Sequence, residues 1–250
     1  MRPYGVPLRP VLSGGHSYGE MLAELIGELV PPDQPADALI LGFAMPDTRP
    51  ERATATFLSH VCPGSPMAFA VCDQGCAAGF TAMRLARDYA AGGGWRRVLV
   101  ALAEQTRLDY DPPVPVSVPA RNAAFAMLCD AHPAPAAGRP GGVPLARAVR
   151  VRPGVPAGQA FTILRDELAA LAVAGEEKRT LVLGEGLLPL ATEGVPGWPN
   201  VLSLPPGQPL TGVWRELASW VAEPGGGRLA IADYDPGLRY LCLAAFTKGD

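Results

Sequence analysis

The sequence predicts an α/β protein of two successive lobes, and three observations carry that reading. Four short apolar runs in the first half, at 37–43, 68–72 (AFAVC), 97–103 (RVLVALA) and 123–129 (AAFAMLC), are nearly continuous rather than alternating. Strands of a sheet covered on both faces read this way. Helical patterns separate the first three runs. A polar, Pro- and Gly-rich joint, HPAPAAGRPGGVP, then divides the chain near its middle, and a thinner strand–helix alternation resumes beyond it.

In order, the helical patterns are SYGEMLAELIGELV, RPERATATFLSHV and AAGFTAMRLARDYAAGG. The third places Ala78, Ala82, Leu85 and Tyr89 on one stripe and turns Arg84, Arg87 and Asp88 away. Gly92 to Gly94 stop it. Residues 106–122, with DPPVPVSVP, form a proline-stiffened connection. The second half reads as strand ARAVRVR, helix 159–174, strand RTLVLGEG, a long loop, a short strand at NVLSL and helix 209–222. RLAIADYD and YLCLAAF follow, joined by Asp235-Pro236-Gly237 as a hairpin. The divisions are therefore 1–131, a joint at 132–145, and 146–250.

Composition narrows the function. The net charge is −3 and no basic cluster is denser than Arg96-Arg97 or Lys178-Arg179, which speaks against nucleic acid as a partner. No apolar run is long enough to cross a membrane, and the first residues lack the core of a secretory signal. A soluble, cytoplasmic protein is expected. Cys62, Cys72, Cys76, Cys129 and Cys242 are an odd count in apolar or small-residue surroundings, so free thiols are expected. There is no CxxC, and His16, His60 and His132 show no ligand spacing, so no metal is expected. His60 ends a helix, where a cation suits the dipole, while His16 and His132 read as loop residues.

Chemistry concentrates at AVCDQGCAAGF, residues 70–80. Cys76 lies just beyond a strand and opens a helix, with Gly75 giving the freedom for a sharp turn. Unpaired N–H groups and the helix dipole would favour its thiolate, and Gly75, Ala77, Ala78 and Gly79 leave room for an acyl group. A buried cysteine filling a helix–sheet gap is the other reading, and local chemistry leaves both open. Asp73 reads as a turn-capping or interface residue, or as one that tunes the thiol. Cys72 reads as strand core. Trp95, Trp214 and Trp220 read as packing or interface groups.

The run DQGCAAGFTAMRLARDYAAGGGWRRVLVALAEQ, 73–105, resembles the nucleophile region of the condensing enzymes of the thiolase superfamily. The nearest kinds are ketoacyl-ACP synthase III and the chalcone synthase-like type III polyketide synthases. In those families a cysteine follows a core strand, opens a buried helix and precedes a strand ending in Glu, positions held here by Cys76, the helix from Ala77 and Glu104. The resemblance covers residues 20–131. It implies a thiolase-like fold, two similar lobes with central mixed sheets layered α/β/α/β/α, shortened here and without the opening strand of the first lobe. It also implies a dimer paired through AFAVCD, flanked by RVLVALA.

The second lobe departs from that pattern. TLVLGEGLLP stands where the family has its His, offering Gly184 and Glu185, and PGQPLTGVWREL stands where it has its Asn, offering Gln208. DYDPGLRYLCL carries Asp233 and Asp235 where glycines belong, and no histidine follows His132. Without the imidazole donor, efficient decarboxylative condensation is not expected. The resemblance then implies acyl transfer from a coenzyme A or acyl-carrier-protein thioester onto Cys76, with Gln208, Glu185, Gly75, Ala77 and Asp73 in support, within a polyketide- or fatty-acyl-type pathway. The alternative is a catalytically incomplete subunit, like a chain-length factor, paired with a complete condensing enzyme. Either way the thioester is a substrate and no tightly bound cofactor is expected; the partner is a carrier protein, a second copy or a ketosynthase-like protein.

Overall fold

The computed structural model describes residues 16–108, 110–112, 116–131, 143–171, 178–190 and 194–248. His132 and most of the expected joint lie outside them, as do residues 1–15. The strands are β1 Ala38–Gly42, β2 Met67–Val71, β3 Arg97–Glu104, β4 Ala123–Asp130, β5 Val143–Pro144, β6 Ala148–Arg152, β7 Arg179–Leu183, β8 Asn200–Ser203, β9 Gly227–Asp235 and β10 Tyr240–Lys248. The helices are α1 Tyr18–Leu29, α2 Thr54–Val61, α3 Ala77–Ala91, α4 Ala157–Leu171 and α5 Gly212–Ala222, and a short 3₁₀ helix runs Glu185–Leu190.

Among the described residues two five-stranded sheets form, in the orders β2-β1-β3-β4-β5 and β6-β10-β9-β7-β8. Read from the opposite edge, four strands of the second repeat four of the first, β8-β7-β9-β10 standing for β2-β1-β3-β4. Each has three parallel strands followed by an antiparallel one. The place that β6 takes ahead of α4 is filled in the first sheet by β5 from after β4. Among the described residues no helix is long and apolar enough to cross a membrane.

Period-two alternation sends β1 and β3 side chains to two different cores. Leu39, Leu41, Leu99 and Ala101 meet Tyr18, Leu22 and Ile26 of α1 and Leu58 of α2 on the outer face. Ile40, Val100 and Leu102 turn inward to α3 and α5, which fill the space between the sheets together with Val182, Ile231 and Phe246. On the far side α4 sets Leu164 and Leu168 on Leu181, Leu183 and Leu243. Helix, sheet, helix, sheet, helix is the resulting stack.

This central position corrects the one-sided stripe expected for α3. Ala77 to Met83 are buried without interruption, as is Ala86, because both sheets enclose the helix, whereas Tyr89 is 48% exposed where it emerges. Its ring stacks on Trp95 at 4.2 Å. Nor is β2 a buried strand: it is an edge, with Met67 60% exposed, and β1 rather than β3 lies beside it. Cys72 accordingly falls past the strand end and is only half-buried.

At the centre, Trp214 of α5 packs on Phe80 of α3, ring centroids 5.1 Å apart. The lobes are also joined by Glu104, the last residue of β3 and 2% exposed. Its carboxylate accepts hydrogen bonds from the Leu210 and Thr211 N–H groups, both at 3.0 Å, from the Gln208 amide at 2.8 Å, and from the Thr211 hydroxyl. Burial raises its pKa and these four donors oppose the rise. Glu104→Ala would leave the donors without an acceptor, and is expected to cost about 3 kcal/mol or more of stability in urea unfolding.

Candidate active site

The turn from β2 into α3 is made by residues 72–76. Asp73 and Gly75 both adopt left-handed φ, +60° and +52°, and two such residues within three reverse the chain in the least space. A side chain at 75 would overlap the Asp235 carboxylate, which lies directly over the Gly75 backbone. Only glycine satisfies both conditions. Thr81 ties the turn to the helix, its hydroxyl donating to Gln74 Oε1 at 2.6 Å.

Cys76 follows as the N-cap of α3, 6% exposed. The N–H groups expected to favour its thiolate are already engaged, Ala77 with the Gln74 carbonyl at 3.0 Å and Ala78 with that of Gly75 at 3.3 Å. Instead the thiol is buried beside that of Cys242 on β10, and Asp235 and, once ionised, Asp233 oppose a negative charge on it. Each effect pushes its pKa upward, well above the ordinary thiol value. At neutral pH Cys76 is a thiol. The sequence expectation of a favoured thiolate is reversed, and the reason lies in the β9–β10 hairpin.

Asp233 is 2% exposed, on β9 directly opposite Cys242. Its Oδ1 accepts the Tyr234 N–H at 2.8 Å and the Gly186 N–H at 3.2 Å. Burial nevertheless dominates and lifts its pKa to about 8, with the charges of Glu185 and Asp235 adding to the rise. A side chain at residue 184 would overlap this carboxylate, so the space an imidazole at 184 would need is already taken.

The remaining expected site residues disperse. Glu185 accepts the Gly207 N–H at 2.6 Å and acts on Asp233, not on Cys76. The Gln208 amide is spent on Glu104 and the Arg121 carbonyl, and its oxygen on Arg121 Nε at 2.7 Å, so nothing of it is left for a ligand at Cys76. Asp73 accepts from the Cys72 thiol at 3.4 Å, and is not among the groups acting on Cys76. Ala77 is buried beneath the turn. His16 and His60 are exposed on the surface. Among the described residues no cluster of His, Cys, Asp or Glu has the arrangement of metal ligands. The structure thus brings together Cys76, Gly75, Cys242, Asp233 and Asp235; the last three were legible only as acids in place of glycines and a strand cysteine.

A titration follows from Asp233. The stability contributed by its high folded-state pKa is fully present below pH 4, near its unfolded pKa. It is then lost as pH rises toward about 8, by up to about tenfold in the folding equilibrium per pH unit. Asp233→Asn keeps the Oδ1 acceptor and cannot ionise. The variant is expected to gain on the wild type steadily between pH 4 and 8 in denaturant titrations, and a constant difference would refute the assignment.

No family model matches the sequence, and no curated protein does. Solved structures match over nearly the whole chain. The tetronic acid condensing enzyme AbyA1 superimposes with a TM-score of 0.68 at 16% identity, covering 94% of this chain and 83% of that one. The 3-oxoacyl-[acyl-carrier-protein] synthase III of Aquifex aeolicus gives 0.64 at 14% identity, over 94% and 86%. A point variant of Xanthomonas campestris OleA gives 0.64 at 14%, over 95% and 84%. The fold is therefore that of the thiolase-type condensing enzymes, as the sequence resemblance implies.

Proposed function

We propose that this chain is a ketosynthase-like subunit that does not complete a condensation by itself and works paired with a full condensing enzyme. The observation that carries this is the state of Cys76, a buried thiol held between a second thiol and two acids. A condensing nucleophile needs the opposite surroundings, a base or cation to stabilise the thiolate and donors for the developing oxyanion. The similar structures bear the names of condensing and acyl-transferring enzymes, so the fold supports a place in thioester chemistry while the residues at the turn support a non-condensing role. The exposed edge of β2, with Met67 and Ala70 uncovered, supports pairing by strand addition.

A second reading, acyl transfer onto Cys76, has one observation in its favour. At neutral pH Asp233 carries its proton and could donate to a thioester oxyanion as a neutral acid. In that step the Cys76 sulfur bonds the acyl carbon, the thioester C–S bond breaks, and the Cys76 proton leaves on the released thiol.

Intact-protein mass spectrometry with acyl-coenzyme A thioesters separates the two. No adduct is expected at pH 7, and an adduct abolished by Cys76→Ala would install the second reading. Co-expression with a complete ketosynthase-like enzyme is expected to give a stable heterodimer by light scattering. Ala70→Glu, a charge on the exposed edge, should weaken it at least tenfold, and a homodimer condensing unaided would overturn the proposal.

A further inference from the structure

A cavity of about 290 Å³ opens beside the first turn of α5, lined by Leu204, Pro205 and Pro206 together with Arg121 and Arg215. We propose that it binds a small molecule carrying a carboxylate or phosphate head on a short apolar stem. The volume sits at the lower end of the range for ligand sites, so it suits a fragment-sized ligand rather than a long acyl chain.

The head group follows from how the two guanidiniums are held. Arg121 donates through Nε to Gln208 Oε1 at 2.7 Å, and Gln208 is in turn fixed by Glu104 at 2.8 Å. Arg121 is thus anchored through Nε, and its two terminal nitrogens are a donor pair of the kind that takes an oxyanion through two parallel hydrogen bonds. Arg215 has one contact to Glu216 at 3.3 Å with a half-exposed side chain, a pairing weak enough to yield to a ligand. Gly212, at the start of α5, lies in the same wall. Two carboxylates stand behind the wall, Glu104 and Glu185, and both are engaged by N–H donors, Glu104 by Leu210 and Thr211 and Glu185 by Gly207. The stem is set by Leu204, Pro205 and Pro206, which give an apolar surface next to the charges. None of the lining residues is among the groups acting on Cys76.

Isothermal titration calorimetry of the chain with hexanoate, phenyl phosphate and hexan-1-ol tests it. At least one of the two anions is expected to bind saturably with 1:1 stoichiometry, the tighter one identifying the head group, while hexan-1-ol gives no heat of binding. Arg121→Gln and Arg215→Gln should each weaken the bound anion at least tenfold. Both side chains are exposed, and an unchanged thermal midpoint confirms that the variants are folded. Neither anion binding saturably, or both variants binding as the wild type does, would overturn the proposal. The readout uses neither Cys76 nor a partner, so its failure and that of the pairing reading are distinguishable.

Discussion

The buried carboxylate of Glu104 is the constraint on which the two-lobe arrangement rests. It ends β3 of one lobe and takes the N–H groups of Leu210 and Thr211 at the entry to the other lobe's central helix, along with the Thr211 hydroxyl and the Gln208 amide. A carboxylate at a helix N-terminus also meets the favourable end of the dipole. With the start of α5 fixed, Trp214 is carried onto Phe80 and the two central helices lock between the sheets. The β9–β10 hairpin is held in the second sheet beside α3, which places Asp233, Asp235 and Cys242 around Cys76.

At that thiol two effects compete, and their sizes decide the outcome. A helix N-terminus favours an anion by about 0.3–1 kcal/mol, rising to about 2 in partly buried geometry. Desolvating an ion in a protein interior costs several kcal/mol, and Cys76 is all but inaccessible. Two nearby acids add to the penalty. The dipole is outweighed.

Most of the architecture was legible because it depends on short-range patterns. The continuous apolar runs marked β1, β3 and β4, and the small residues after Cys76 marked a helix that other elements approach closely. What failed was whatever depended on position within the assembled stack. The apolar run at 68–72 has the composition of a buried strand and turned out to be an edge, because nothing local records which neighbours a strand acquires. The stripe on α3 misled for the complementary reason, since a helix enclosed on both faces needs no polar side. At the site, Cys76 and Gly75 were visible from their turn, but Gln208 came from the family resemblance and not from geometry. It serves Glu104 and Arg121 instead. Asp233 and Asp235 stood out in the sequence as departures from glycine, yet only the hairpin register brings them opposite Cys242 and over Gly75.

The internal repeat explains why similar acids behave differently at the two helix starts. In each lobe the strand that follows the central helix ends in an acid directed at the other lobe's central helix: Glu104 of β3 at α5, and Asp233 and Asp235 of β9 at α3. Just ahead of α5 the N–H groups of Leu210 and Thr211 meet the carboxylate, and a hydroxyl and an amide join them, so Glu104 becomes a structural bond. At α3 the left-handed turn has already closed the N–H groups of Ala77 and Ala78 onto Gln74 and Gly75. The acids there find thiols instead. Asp233 keeps its backbone donors from its own hairpin and from Gly186, too few to offset full burial, and so takes up a proton near neutrality. The same topology thus fixes the lobes together at one helix start and, at the other, surrounds a buried thiol with groups that oppose its ionisation.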